Sequence, residues 1–143
     1  MSLGAALLQR AAETPDAPAL EMIAATWTFH ALAARAQRAA ACLQQVAHSS
    51  APVALLLEDA GEFAAWFLGT VLAGRTALPL NLRLTSGELA QQLADSRASL
   101  LLGTSGDRRL AELAALVPGL QVTAAPSGSS LPEPHEFASP RHA

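Results

Sequence analysis

Strand-length segments at Val53–Leu57, Arg75–Leu80 and Ser99–Leu102 alternate with stretches of helical period, and this alternation constrains the fold most. Val53–Leu57 is apolar without interruption, as a strand buried on both faces must be. Glu62–Ala73 reads as the helix that follows it. Arg75–Leu80 reads as a second strand, with Pro79 near its end where one ladder donor can be spared. Thr85-Ser86-Gly87-Glu88 is a capping box opening a helix to about Asp95, with Leu89 and Leu93 one turn apart. After Ser99–Leu102, Ser105 or Asp107 opens a helix striped by Leu110, Leu113, Ala114 and Val117, which Pro118-Gly119 ends before a last strand at Leu120–Thr123. Strands separated by helices need crossover connections, so the fold class is α/β: a mainly parallel sheet with helices on its faces.

The N-terminal third is simpler. Leu3–Glu13 has helical spacing and stops at Thr14-Pro15. Ala19–Ile23 and Thr26–Thr28 pair as a small hairpin over Ala24-Ala25, and Thr28 caps a long helix to about Ala47. Residues 1–123 therefore form one α/β unit. From Ala124 the chain turns rich in proline and serine, which predicts a flexible tail or linker over 124–143.

Composition narrows the chemistry. The nine basic residues are all arginine, which removes every lysine-dependent mechanism. A net charge of −3 with scattered arginines leaves no electrostatic footprint for nucleic acid. Cys42 is alone, and His30, His48, His135 and His142 lack the spacing of metal ligands, so no metal site is expected. The longest apolar run, Phe63 to Ala73, is eleven residues, against about 20 for a bilayer span. Met1–Leu8 lacks a basic n-region, so no signal or transit peptide and a cytoplasmic location are expected.

Glu62–Ala73 is apolar most of the way round, with Phe63, Trp66, Phe67 and Val71 on one side and Ala65, Leu68 and Leu72 on another. Such a helix is covered on more than one face. Either it slots between helices of this chain, or neighbouring structure or a partner subunit supplies the cover.

Ligands of open parallel sheets gather beyond the carboxyl ends of the strands, which singles out Glu58, Asp59, Asn81, Arg83 and Thr104. Glu58 and Asp59 read mainly as solvated loop anions and Asn81 as a turn residue. Arg83 is a permanent cation with a fork suited to phosphate, though a surface salt bridge explains it as well. Gly103-Thr104-Ser105-Gly106-Asp107-Arg108-Arg109 sits where phosphate loops sit, but matches neither GxxxxGK[ST] nor GxGxxG; capping by Ser105 and Asp107 explains it without a ligand. No catalytic acid–base pair emerges.

In order and spacing, TWTFHALAARAQRAAACL followed by VALLLEDAGEFAAWFLGTVLAGRTALPLNLRLTSGELAQQLADSRASLLL resembles the N-terminal region of the acyl-adenylate-forming, AMP-binding enzymes. The likeness covers about residues 5–103 and is greatest to acyl-CoA synthetases such as 2-succinylbenzoate–CoA or fatty-acid–CoA ligases. It implies a complete enzyme that uses ATP and Mg²⁺ to form an acyl-adenylate and then transfers the acyl group to CoA. The family's Ser/Thr/Gly-rich phosphate loop ending in Pro-Lys-Gly, its adenine motif, its ribose-binding acid and its C-terminal lysine are missing here. The resemblance therefore implies an N-terminal fragment that is not competent alone, needs no cofactor in isolation, and has the remainder of the ligase or a partner subunit against the Glu62–Ala73 helix. One residue carries over: Arg83, in Asn81-Leu82-Arg83-Leu84, as a contact for the CoA phosphates. The alternative is a stand-alone interaction or regulatory module that pairs with another chain; topology alone also fits a small flavodoxin-like nucleotide binder.

Overall fold

The computed structural model describes residues 2–46 and 50–126. Helix α1 (Leu3–Glu13) is capped by Ser2, whose hydroxyl accepts from Ala5 N. Strands β1 (Pro18–Glu21) and β2 (Thr26–Thr28) pair antiparallel, Leu20 opposite Trp27. The hairpin tip is Met22–Ala25, wider than the expected Ala24-Ala25, because Met22 N donates to Ala25 O and closes the turn there. Thr28 caps α2 (Phe29–Val46), accepting from Ala31 N at 3.1 Å.

The second part follows the alternation: β3 (Val53–Leu56), α3 (Ala60–Leu72), β4 (Ala77–Pro79), α4 (Ser86–Ser96), β5 (Leu100–Gly103), α5 (Arg109–Leu116) and β6 (Gln121–Ala124). The four strands of this sheet lie parallel in the order β4-β3-β5-β6, with Val53 level with both Ala77 and Leu100. Strands β3 and β5 are buried along their whole length. On one face Val53, Leu55, Leu100 and Leu102 meet Ala39, Leu43 and Trp66 of α2 and α3. On the other, Ala54, Leu56 and Leu101 meet Leu89 and Leu93 of α4 and Leu113 of α5.

Two boundaries moved for identifiable reasons. The α3 helix begins at Ala60, two residues before Glu62, because the Asp59 carboxylate accepts Glu62 N at 2.8 Å and caps the helix. Strand β4 begins at Ala77 because Gly74, at φ +75°, turns the chain and Arg75 N donates back to Thr70 O. The Arg75 guanidinium instead binds Ala51 O and Ser99 Oγ at the amino ends of the strands. At the other end β6 extends through Ala124, and Ala125 packs into the core. The tail expectation from 127 onward falls outside the described residues.

The helix that raised the question of a missing neighbour is covered within the chain. Helix α3 lies between the sheet and α1, with α2 alongside. Leu7, Leu32, Ala33 and Ala36 pack on one flank against Ala64, Leu68 and Leu72. From Gly61 to Leu72 no residue is exposed. Packing within the chain thus accounts for one flank of Glu62–Ala73, while Phe63, Phe67 and Val71 stay half-buried. Helix α1, too far away in sequence to be assigned a place, supplies the outer layer.

The capping box is present in full: Thr85 Oγ1 accepts Glu88 N, and the Glu88 carboxylate accepts Thr85 N at 3.0 Å. These bonds hold the Glu88 carboxyl below its ordinary range. Thr85→Ala is expected to lower stability by about 1 kcal/mol in urea unfolding at pH 7. An unchanged midpoint would show that α4 is held by Leu89 and Leu93 alone.

Candidate functional site

The carboxyl ends of β3, β4 and β5 bring Glu58, Asp59, Asn81, Arg83 and Thr104 to one end of the sheet. Structural roles account for three of them. Thr104 staples two strand ends, its amide donating to Leu56 O and its hydroxyl accepting Glu58 N at 3.0 Å. Asp59 is the α3 cap. Asn81 makes an Asx turn, its side-chain oxygen accepting Arg83 N at 2.9 Å. The Glu58 side chain is exposed at the end of β3.

Arg83 differs from the rest. It is exposed, and among the described residues no side chain pairs with its guanidinium. Among the described residues, the surface salt bridge that sequence offered for it is not formed.

Two residues that the sequence placed only in a failed phosphate loop prove to organise this end of the sheet. Asp107 starts α5: its carboxylate accepts Arg109 N at 2.9 Å, and its carbonyl accepts Leu110 N. The cap position itself is Arg108, which makes no side-chain cap bond, so Asp107 acts from one residue before the position expected of a cap. The Arg109 Nε and Nη2 groups donate to the same carboxylate, Nη2 at 2.8 Å. The remaining nitrogen, Nη1, reaches across to Leu82 O at 2.7 Å and Leu84 O at 3.0 Å. Asp107 and Arg109 side chains are 10% and 20% exposed, so this ion pair is shielded from water more than most surface pairs. Its only local sequence signal was the pair of opposite charges two residues apart; the reach to residues 82–84 depends on the packing of α4 and α5.

The hydrogen bond from Arg109 holds the Asp107 carboxyl below its usual range against the opposing cost of burial. Asp107 in turn raises Arg109, with Glu58 and Glu112 adding smaller attractions. Because the folded-state value of Asp107 lies below the unfolded one, the unfolded chain takes up the proton first as pH falls. The contribution is complete above the ordinary carboxylate value of about 4, and lost as pH falls through the lowered folded value. Asp107→Asn should therefore lower the urea midpoint at pH 7 and cost much less at pH 3. An equal loss at both pH values would show that the charge is immaterial.

The loop does not suit a nucleotide triphosphate. Asp107 places a carboxylate where the phosphates would lie, and its partner Arg109 is already engaged. Gly103 is small because Leu110 of α5 packs directly on it, which accounts for the glycine without a phosphate. Among the described residues no three His, Cys, Asp or Glu side chains come together as a metal site. The residues present do not fit ATP with its Mg²⁺.

The model of the family described as AMP-binding enzyme matches residues 7–140. No curated protein matches the chain. Among solved structures, the Mycobacterium tuberculosis fatty acyl CoA synthetase is 25% identical with a TM-score of 0.77, over 95% of this chain and 28% of that one. The unliganded o-succinylbenzoate coenzyme A synthetase from Bacillus subtilis is 30% identical with a TM-score of 0.73, over 82% of this chain and 24% of that one. The N-terminal domain of FACL13 from Mycobacterium tuberculosis is 25% identical with a TM-score of 0.76, over 95% of this chain and 35% of that one. The chain thus spans about a third or less of the length of these structures.

Proposed function

From the premise that the chain belongs to the AMP-binding enzyme family, we propose that it is the N-terminal part of a carboxylate–CoA ligase and is inactive by itself. The reading is carried by one observation: nearly the whole chain shares its fold with CoA ligases of which it covers only a fraction. The complete enzyme would form an acyl-adenylate from a carboxylate and ATP, then pass the acyl group to CoA. The ATP and Mg²⁺ sites would come from the rest of that enzyme, because the glycine-bearing loop between β5 and α5 carries Asp107 already paired to Arg109. The remainder of the ligase is the proposed partner, the cytoplasm its proposed location, and the residues from 127 onward the proposed link.

Arg83 is the proposed contribution of this part to ligand binding. An exposed guanidinium with no side-chain partner among the described residues, at the carboxyl end of a parallel sheet, suits the phosphates of CoA. The rival reading, an interaction or regulatory module, was motivated by an uncovered apolar helix; α1 and α2 cover that helix, so no observation favours it.

An ATP–pyrophosphate exchange assay tests the reading. The chain alone should give no carboxylate-dependent exchange, and turnover above background would overturn the claim of inactivity. A second test lies in the DNA beyond codon 143. A Ser/Thr/Gly-rich segment ending in Pro-Lys-Gly in the same frame would support the ligase assignment, and a frame without one would count against it.

A further inference from the structure

We infer that Arg109 is a positioning residue: clamped by Asp107 at the start of α5, it fixes the backbone on both sides of Arg83 and so sets where that arginine meets an anionic ligand. The inference rests on the proposed role of Arg83 for its last step only. The loop has little else to hold it. Leu82 is 38% exposed, Arg83 is exposed, and the Asn81 turn is local to the loop. Only the flanking Leu80 and Leu84 reach the core.

Arg109 bridges this weakness from a rigid base. Helix α5 is anchored by the fully buried Leu113 and by Leu110 against Gly103. From there Nη1 holds the carbonyls of Leu82 and Leu84, the one immediately before Arg83 and the other one residue after it. The opposite edge of the same planar guanidinium is locked on Asp107. A lysine has three donors on one atom and cannot reach both sides at once. Fixing the loop before a ligand arrives removes its ordering cost from binding.

The test uses the full 143-residue chain and two readouts. In hydrogen exchange, Arg109→Gln should speed exchange of the Arg83 and Leu84 amides about tenfold while Leu113 in α5 stays protected. Arg109→Lys should fall between it and the wild type. In NMR titrations with adenosine 3′,5′-bisphosphate, the nucleotide part of CoA, the wild-type Arg83 amide should shift with millimolar affinity. Arg83→Gln should abolish that response, and Arg109→Gln should weaken it about fivefold with Arg83 itself intact. Unchanged exchange at residues 83 and 84 in both Arg109 variants would overturn the inference. So would faster loop exchange with undiminished nucleotide affinity, since Arg109 would then be merely structural. A wild type that ignores the nucleotide would instead overturn the phosphate role of Arg83, and loop exchange alone would then judge the clamp. If Arg109→Gln loses protection at Leu113 as well, Arg109→Lys decides by the same criteria.

Discussion

Trp66→Ala is expected to remove about 3–5 kcal/mol of folding free energy, the range for deleting a large buried aromatic. Trp66 is 1% exposed and lies where α3 meets the sheet, in one cluster with Leu43 of α2 and the inward residues of β3 and β5. No residue nearby can fill the space. Its neighbours Val53, Leu55, Leu100 and Leu102 are tied into a parallel ladder, and Ala39 is too small to reach. The loss is a large share of the roughly 5–15 kcal/mol that keeps a domain folded. Urea unfolding followed by circular dichroism gives the magnitude, and Trp27 remains as a fluorescent reporter of the hairpin. A change below about 1 kcal/mol would mean that α3 is held by its contacts with α1 and α2 and not by the sheet.

What the sequence made legible follows the range of the physics. Periodicity and caps act over one or two turns, so Thr28, Thr85 and Glu88 could be assigned from neighbours in the chain, and all three cap as expected. Strands β3 and β5 announced themselves because burial on both faces leaves no polar residue in the run. The apolar circumference of α3 was equally plain, yet what covers it was not. Its cover comes from α1, some fifty residues earlier, together with α2, and spacing within one helix carries no information about that. The same limit hid the Arg109 clamp. Asp107 and Arg109 are local to each other, but their grip on residues 82–84 requires α4 and α5 side by side. Arg83 lies in the loop at the strand ends where the sequence put it; that no side chain of the described residues pairs with it needed coordinates.

The alanine-rich helix α2 has a role beyond helix propensity that Gly69→Leu would expose. Helices α2 and α3 meet through small residues. A Cβ added at Gly69 would lie 2.6 Å from Ala39 Cβ and 2.8 Å from Ala36 O, closer than either can tolerate. One of these contacts is backbone and the other a methyl fixed to it, so the helices must move apart. A leucine there is expected to cost about 3 kcal/mol, the upper part of the range for overpacking. Gly69→Ala separates two opposing effects. Helix propensity favours it by about 1 kcal/mol, and overpacking opposes it by about 1–3 kcal/mol. A net loss is expected. Pairing it with Ala39→Gly removes the methyl contact while leaving the Ala36 carbonyl in place, so the double variant should lose less than the sum of the single losses. Strict additivity, or a Gly69→Ala variant more stable than wild type, would show that α2 and α3 have room to spare and that their small residues do not set the spacing between them.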